Sequence, residues 1–347
     1  MPLALLAVAG LGALGLRPTS THSFLQSSRA GATPRRTGLV RLAAGADKAL
    51  DFPRGKLLTL FSNTAETAEW SEQDWERVYR SAERRGILPG FGSASGSIPT
   101  EVTVAELEQR TALTLQALTP RNSGAQLYLL GAAFFAVELL LAKSVGFESA
   151  LVQTLPVTGL VFAVDQLLLG SKLTFAIILW LRPEYGAKLA RHEAGHFLLA
   201  YLMGLPITGY FLSGASPAAG QAGTIFLDVE LFEQLSRGQL KQSALARYST
   251  ILMGGIAAEA IAFDEAEGGS SDEQALVEML TNLRPPWSKE RVFNLARWSV
   301  VQAVELLREY KAEHELLATK MAAGAPLGEC LGVIARGCEA RQQKVAI

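Results

Sequence analysis

The segment PEYGAKLARHEAGHFLLAYLM, Pro183 to Met203, constrains the chain more than any other. A proline stands at its start, and Gly204 with Pro206 follows its end, so it predicts one helix with natural boundaries. Tyr185, Leu189, His192, His196, Leu199 and Met203 recur along it at alternating spacings of four and three, which predicts a single inward stripe. His192 and His196 lie one turn apart on that stripe, so both imidazoles reach one point. Glu193 is rotated by about 100° and reaches a water there without being a ligand.

Burying two unpaired imidazoles and a carboxylate among apolar side chains is costly, and a metal ion removes that cost. Neutral imidazoles bind Zn2+ and leave a coordination position for water, which the ion acidifies and a nearby carboxylate can deprotonate. The pattern therefore predicts His192 and His196 as zinc ligands and Glu193 as catalytic base. Gly195, between them, lets another backbone approach closely.

Two histidines leave such an ion short of a third protein ligand. Glu259 falls on the packed face of a helix predicted over Leu245–Phe263, whose Gly254 and Gly255 permit close packing; it could bind the ion or orient a ligand histidine. Asp272 falls in the first turn of the next helix, with Ser271 as its cap, on a stripe shared with Leu276, Met279 and Leu283. A helix N-terminus there stabilises the ionised carboxylate. Glu273 points away from that stripe, and Asp264, Glu265 and Glu267 read as solvated loop.

The remaining chain reads as address, support and a greasy middle. Residues 1–46 combine an apolar start with an Arg-, Ser- and Ala-rich stretch lacking acids, the composition of an organelle-targeting leader. Residues 47–125 predict a small helical region, with one helix capped by Ser71 and Asp74, a linker at FGSASGSIPT, and a second helix over 102–118. Residues 126–181 are strongly apolar and predict one or two membrane helices, within which Glu138, Asp165 and Lys172 must face protein. After Pro285 and Pro286 come long amphipathic helices, with His314 on a solvated face, and residues 338–347 form a tail. With 347 residues, a net charge of -1 and no basic stripe, nucleic acid is excluded as a partner. Cys330 and Cys338 are too few for a disulfide framework and read as small buried apolar residues.

HEAGH followed by GGIAAE and GGSSD resembles the peptidase domain of the FtsH family of zinc metalloproteases, over residues 182–337. The resemblance implies a mainly α zinc-peptidase fold with a small edge strand or β-hairpin. It implies Zn2+ as cofactor, Asp272 as third ligand, and polypeptide substrates held by an edge strand at Gly223, Thr224 and Ile225 within QAGTIFLD. The ATPase-lacking, plastid-targeted FtsH-like peptidases are the most similar type. That likeness implies a membrane-associated plastid enzyme, with the mitochondrion as the alternative address, acting as a homo-oligomer or with a separate FtsH-type ATPase.

This chain departs from the family in two ways. No G-x-x-x-x-G-K-[ST] phosphate loop occurs in the sequence, so ATP binding is not carried over. Ile256 stands where the family typically has arginine, which unsettles the contacts around that helix. Two other readings remain at this stage: a site-2-type intramembrane protease, whose later ligand motif FLDVE at 226–230 lacks its glycine, and a catalytically silent scaffold or chaperone.

Overall fold

The computed structural model of the chain describes residues 44–121, 172–212, 222–237, 240–281, 283 and 285–345, with a few positions between 136 and 165. The predicted leader, apart from its end, and most of the predicted membrane region lie outside these residues. So does Gln221 of the predicted edge strand.

The N-terminal part is helical: α1 (Ala44–Ala49), α2 (Arg54–Phe61), α3 (Thr64–Thr67), α4 (Glu72–Arg84) and α5 (Val104–Thr111). At α4 the Ser71–Asp74 pair forms a reciprocal capping box, each side chain accepting the other residue's N–H. α5 stops well short of the helix predicted over 102–118. Ala112 turns left-handed at φ 51°, and the buried Thr111 hydroxyl donates to the Leu107 carbonyl and accepts the Leu113 N–H.

The second half begins with α6 (Lys172–Leu181) and α7 (Glu184–Leu202). An antiparallel pair follows, β1 (Ile207–Phe211) and β2 (Gly223–Phe226), with Tyr210 opposite Thr224 and a register shift between Ile207 and Gly209. Helices then complete the described chain: α8 (Val229–Ser236), α9 (Gln242–Leu252), α10 (Gly254–Phe263), α11 (Ser270–Thr281), α12 (Lys289–Glu309), α13 (Lys311–Ala322) and α14 (Leu327–Val345). The mainly α architecture with one small hairpin is thus present. Among the described residues no helix is long and apolar enough to cross a membrane.

α7 is the axis of the molecule. Its predicted boundaries match, with Gly204 turning at φ 76° just beyond it. The predicted single stripe is too narrow, however: Ala190 and every residue from His192 to Leu202 are buried. α7 packs against α9, α10, α12, α13 and both strands, and a helix covered on all sides needs no polar face.

The helix predicted over Leu245–Phe263 is two helices, broken at Met253. The break falls where α10 meets α7 backbone to backbone. A Cβ on Gly195 would stand 2.6 Å from the Gly254 carbonyl oxygen, and one on Gly254 would stand 2.8 Å from Leu199 Cδ1. Gly195 has no room for a side chain against the Gly254 backbone, and a Cβ on Gly254 would also press on the Gly195 carbonyl at 3.2 Å.

The N-terminal helices share this core. The Tyr79 hydroxyl donates to the Ile207 carbonyl at 2.7 Å, and α2 packs on α14, where Arg54 forms a two-pronged ion pair with Glu339. The predicted linker is a strap: the N–H groups of Gly92 and Ala94 donate to the Tyr201 and Leu202 carbonyls, capping the open end of α7.

Two further expectations are corrected. His314 is buried, at 8 % exposure, and its Nε2–H donates to the Arg191 carbonyl at 3.0 Å. Its charged neighbours in sequence are not its neighbours in space, because α13 lies against α7. The cap of α11 is not Ser271: the helix begins at Ser270, and the Gly269 carbonyl, at a residue with φ 94°, accepts from the Asp272 and Glu273 N–H groups. Cys330 and Cys338 are buried free thiols, as their composition suggested.

Candidate metal centre

The two histidines of α7 are fixed from behind. His192 Nδ1 lies 2.7 Å from Glu259 Oε1 on α10, and His196 Nδ1 lies 2.7 Å from the Ile251 carbonyl. A carbonyl can only accept, so His196 donates from Nδ1, which turns its Nε2 toward His192 and Asp272. The Ile251 carbonyl sits in the last turn of α9, where helix carbonyls lack their usual partners, so the break at Met253 supplies this acceptor. Glu259 does the same for His192, and its other oxygen accepts from the N–H groups of Glu267 and Gly268 at 2.7 and 3.1 Å. Of the two roles open to Glu259 in the sequence, the structure gives it the orienting one.

Both Nε2 atoms therefore face a common point. They stand 3.0 Å apart, and Asp272 Oδ2 from α11 lies 3.1 Å from His192 Nε2 and 3.4 Å from His196 Nε2. Two nitrogen ligands at about 2.0–2.1 Å in a tetrahedral site are separated by about 3.3 Å, so the donor set has metal-site dimensions. Donor atoms of His192, Glu193 and His196 also all lie within 4.8 Å of one another, a buried group able to hold a metal ion. Asp272 reaches in because it shares a face of α11 with the buried Leu276 and Leu280, while Met279 and Leu283 of the predicted stripe are partly buried against the same core.

Glycines shape the socket around His192. A Cβ on Gly255 would collide with its imidazole, and one on Gly268 would stand 2.6 Å from Glu259 Oε1 and 3.2 Å from His192 Nδ1. At Gly269 a Cβ would meet Ile256, which is 1 % exposed. Ile256 thus packs beneath the turn that delivers Asp272.

The electrostatics favour a cation. Burial disfavours charge on His192, but its contacts with Asp272 and Glu259 outweigh that and raise its pKa well above the ordinary value. His196 is raised in the same way, with the Asp272 charge overcoming burial. The Asp272 carboxyl is partly buried, which disfavours its charge, yet His196 and His192 hold it well below the usual range. In Glu193 burial prevails over the two imidazoles and raises the carboxyl above the ordinary glutamate value.

Glu193 is hydrogen-bonded to neither imidazole. Its Oε2 accepts from Thr224 Oγ1 of β2 at 3.0 Å. Of the predicted edge-strand residues, Thr224 points inward at 4 % exposure, Ile225 points out at 43 %, and Gly223 is half-buried opposite Phe211. The sequence assigned Thr224 only to backbone pairing; its side-chain contact was visible neither in the spacing nor in the motif. Asp228 of FLDVE lies elsewhere, capping α8 through the Leu231 N–H at 2.9 Å and facing Arg247 at 3.6 Å.

No family model, curated protein or solved structure matches the chain.

Proposed function

We propose that this chain is a zinc-dependent metalloendopeptidase of the FtsH-like type, hydrolysing peptide bonds of organellar proteins without an ATPase module of its own. The observation that carries the reading is the convergence of His192 Nε2, His196 Nε2 and Asp272 Oδ2, with a separately held carboxylate, Glu193, beside them. Two nitrogens and one oxygen in this arrangement suit zinc and leave room for a further ligand. When bound, zinc would supply Lewis acidity, lowering the pKa of a coordinated water and polarising a carbonyl. Glu193 would serve as the base beside this site, placed to accept a proton from water and return it to a leaving amine. Glu259 and the Ile251 carbonyl would orient the two imidazoles that hold the ion with Asp272. Gly223, Thr224 and Ile225 would hold an extended polypeptide by strand addition.

Membrane association is part of the proposal. Among the described residues, large exposed apolar side chains concentrate between 140 and 181: Leu140, Leu160, Val161, Val164, Leu173, Ile177, Trp180 and Leu181. A surface of this kind fits lipid better than water. The composition of residues 1–46 supports the plastid as its compartment, with the mitochondrion as alternative. Lacking a phosphate loop, the purified chain should cleave only unfolded or short substrates and ignore ATP, unless a separate FtsH-type ATPase or a homo-oligomer feeds it.

The deciding experiment measures bound metal and casein cleavage on the same purified protein. Stoichiometric zinc with cleavage supports the enzyme; stoichiometric zinc without cleavage of any unfolded substrate would leave the scaffold reading. The site-2 reading, which rests on a His-Glu-x-x-His in an apolar helix, gains nothing from FLDVE, since Asp228 caps a helix and Asp272 stands with the histidines.

A further inference from the structure

We propose that Thr224 is a positioning residue: its hydroxyl, on the inner face of β2, aims the Glu193 carboxylate and so couples the substrate strand to the base. This rests on the metalloendopeptidase reading and deepens it. Thr224 Oγ1 lies 3.0 Å from Glu193 Oε2 and 3.1 Å from the Glu193 main-chain carbonyl. A hydroxyl has one proton to donate, so the two acceptors share it, and both belong to the same residue. Among the described residues, side-chain hydrogen bonds tie this strand to α7 only here, at the residue proposed to move the proton.

The rest of the hairpin makes the tie stiff. Thr224 pairs with Tyr210 across the hairpin, and the Tyr210 hydroxyl is in turn bonded to the Ala325 carbonyl. At Gly223 a Cβ would stand 2.8 Å from the Phe211 ring, so strand and partner are in close contact there. Alternation along β2 then separates two tasks: Thr224 faces the base, and Ile225, on the opposite face, is free to meet a ligand. A peptide laid along β2 would meet a strand whose inner side chain already fixes the direction of Glu193. Neither imidazole makes a hydrogen bond to Glu193, so without the hydroxyl the carboxylate loses its oriented donor, and orientation is what a general base within a rigid site contributes.

Valine keeps most of the shape of threonine and removes the donor, whereas serine keeps the donor and removes a methyl. The test uses the full chain loaded with zinc and an internally quenched, unfolded peptide. For Thr224→Val we expect kcat to fall about tenfold or more, with KM and bound zinc within about twofold of wild type; Thr224→Ser should restore most of kcat. An unchanged kcat in the valine variant, a serine variant as impaired as valine, or a change confined to KM would overturn the proposal. A second measurement does not depend on activity. In the metal-free protein, the unfolding-midpoint shifts of Thr224→Val and Glu193→Ala should be less than additive in the double variant, and strictly additive shifts would refute the contact. If Glu193→Gln cleaves as fast as wild type, the peptidase reading fails by itself, and the metal-free cycle still reports on Thr224.

Discussion

The two walls of the candidate metal centre are built on opposite plans. Behind the imidazoles stand glycines, backbone amides and a carbonyl, all packed so closely that a single added carbon at Gly255 or Gly268 has no room. In front stands β2, a strand of four residues with one side chain turned in and the next turned out. The rear wall fixes distances and tolerates nothing; the front wall keeps an exposed edge and can accept different occupants. A site of this kind should lose metal when the rear is touched, and lose rate or selectivity, but not metal, when the front or the base is touched.

The largest effect we expect separates these two outcomes at one position. Glu193→Gln keeps the size of the side chain and its place on α7 but removes the basic oxygen. Turnover should fall by about 10²–10⁴ while zinc remains near-stoichiometric, measured by peptide hydrolysis and metal analysis on the same sample. Wild-type rates in this variant would remove the mechanism.

Next comes the third ligand. Asp272→Ala should lose most bound zinc while the protein stays folded, because Asp272 is the only carboxylate among the described residues placed against both Nε2 atoms. Glu273→Ala should keep its zinc. Retention of metal by Asp272→Ala, with loss in Glu259→Ala, would transfer the ligand role to Glu259 and erase the distinction between the wall and the site it supports. Glu259→Gln is milder: the amide oxygen can still accept from His192, but the NH2 then faces the Glu267 and Gly268 N–H groups and the charge is gone. Chelator competition should therefore report zinc affinity lower by about 10–100-fold.

The residues at the site differ in how far the sequence revealed them. His192 and His196 were legible because helical spacing puts them on one face, with Glu193 beside them; Asp272 stood open against Glu259 until the family resemblance favoured it. The extent of α7 was legible for the same local reason, its proline and glycine ends. The Met253 break, the strap over the end of α7, the burial of His314 and the inward turn of Thr224 were not. Each depends on which element packs opposite: Gly254 against Gly195, Gly92 against the Tyr201 carbonyl, α13 against α7, and β2 against Glu193. Periodicity tells which face of a helix is apolar, but not which neighbour covers it.

The smallest effect we expect tests how far the rear wall extends. Behind Glu259 lies Glu267, whose N–H donates to Glu259 Oε2 and whose carboxylate pairs with Arg182 at 2.8 Å and Lys188 at 3.0 Å. The sequence read Glu267 as solvated; it is instead a brace between the start of α7 and the loop that holds Glu259. Glu267→Gln preserves the backbone N–H and removes only the charge, so zinc affinity should drop by less than about tenfold, below the effect at Glu259. Arg182 is 35 % exposed, so added salt should weaken the wild-type brace and narrow the gap between wild type and variant. The acid limb gives a second reading. Burial pushes the Glu267 carboxyl up, but Arg182 and Lys188 outweigh it and hold its pKa below the usual value. Its stabilising contribution is therefore full above the ordinary glutamate pKa and is lost as pH falls toward the lower folded value. Over that interval the stability of Glu267→Gln should change less steeply with pH than that of wild type. Equal slopes would show that the ion pairs add no stability, and an affinity loss as large as that of Glu259→Gln would mean that Glu267 belongs to the metal centre itself.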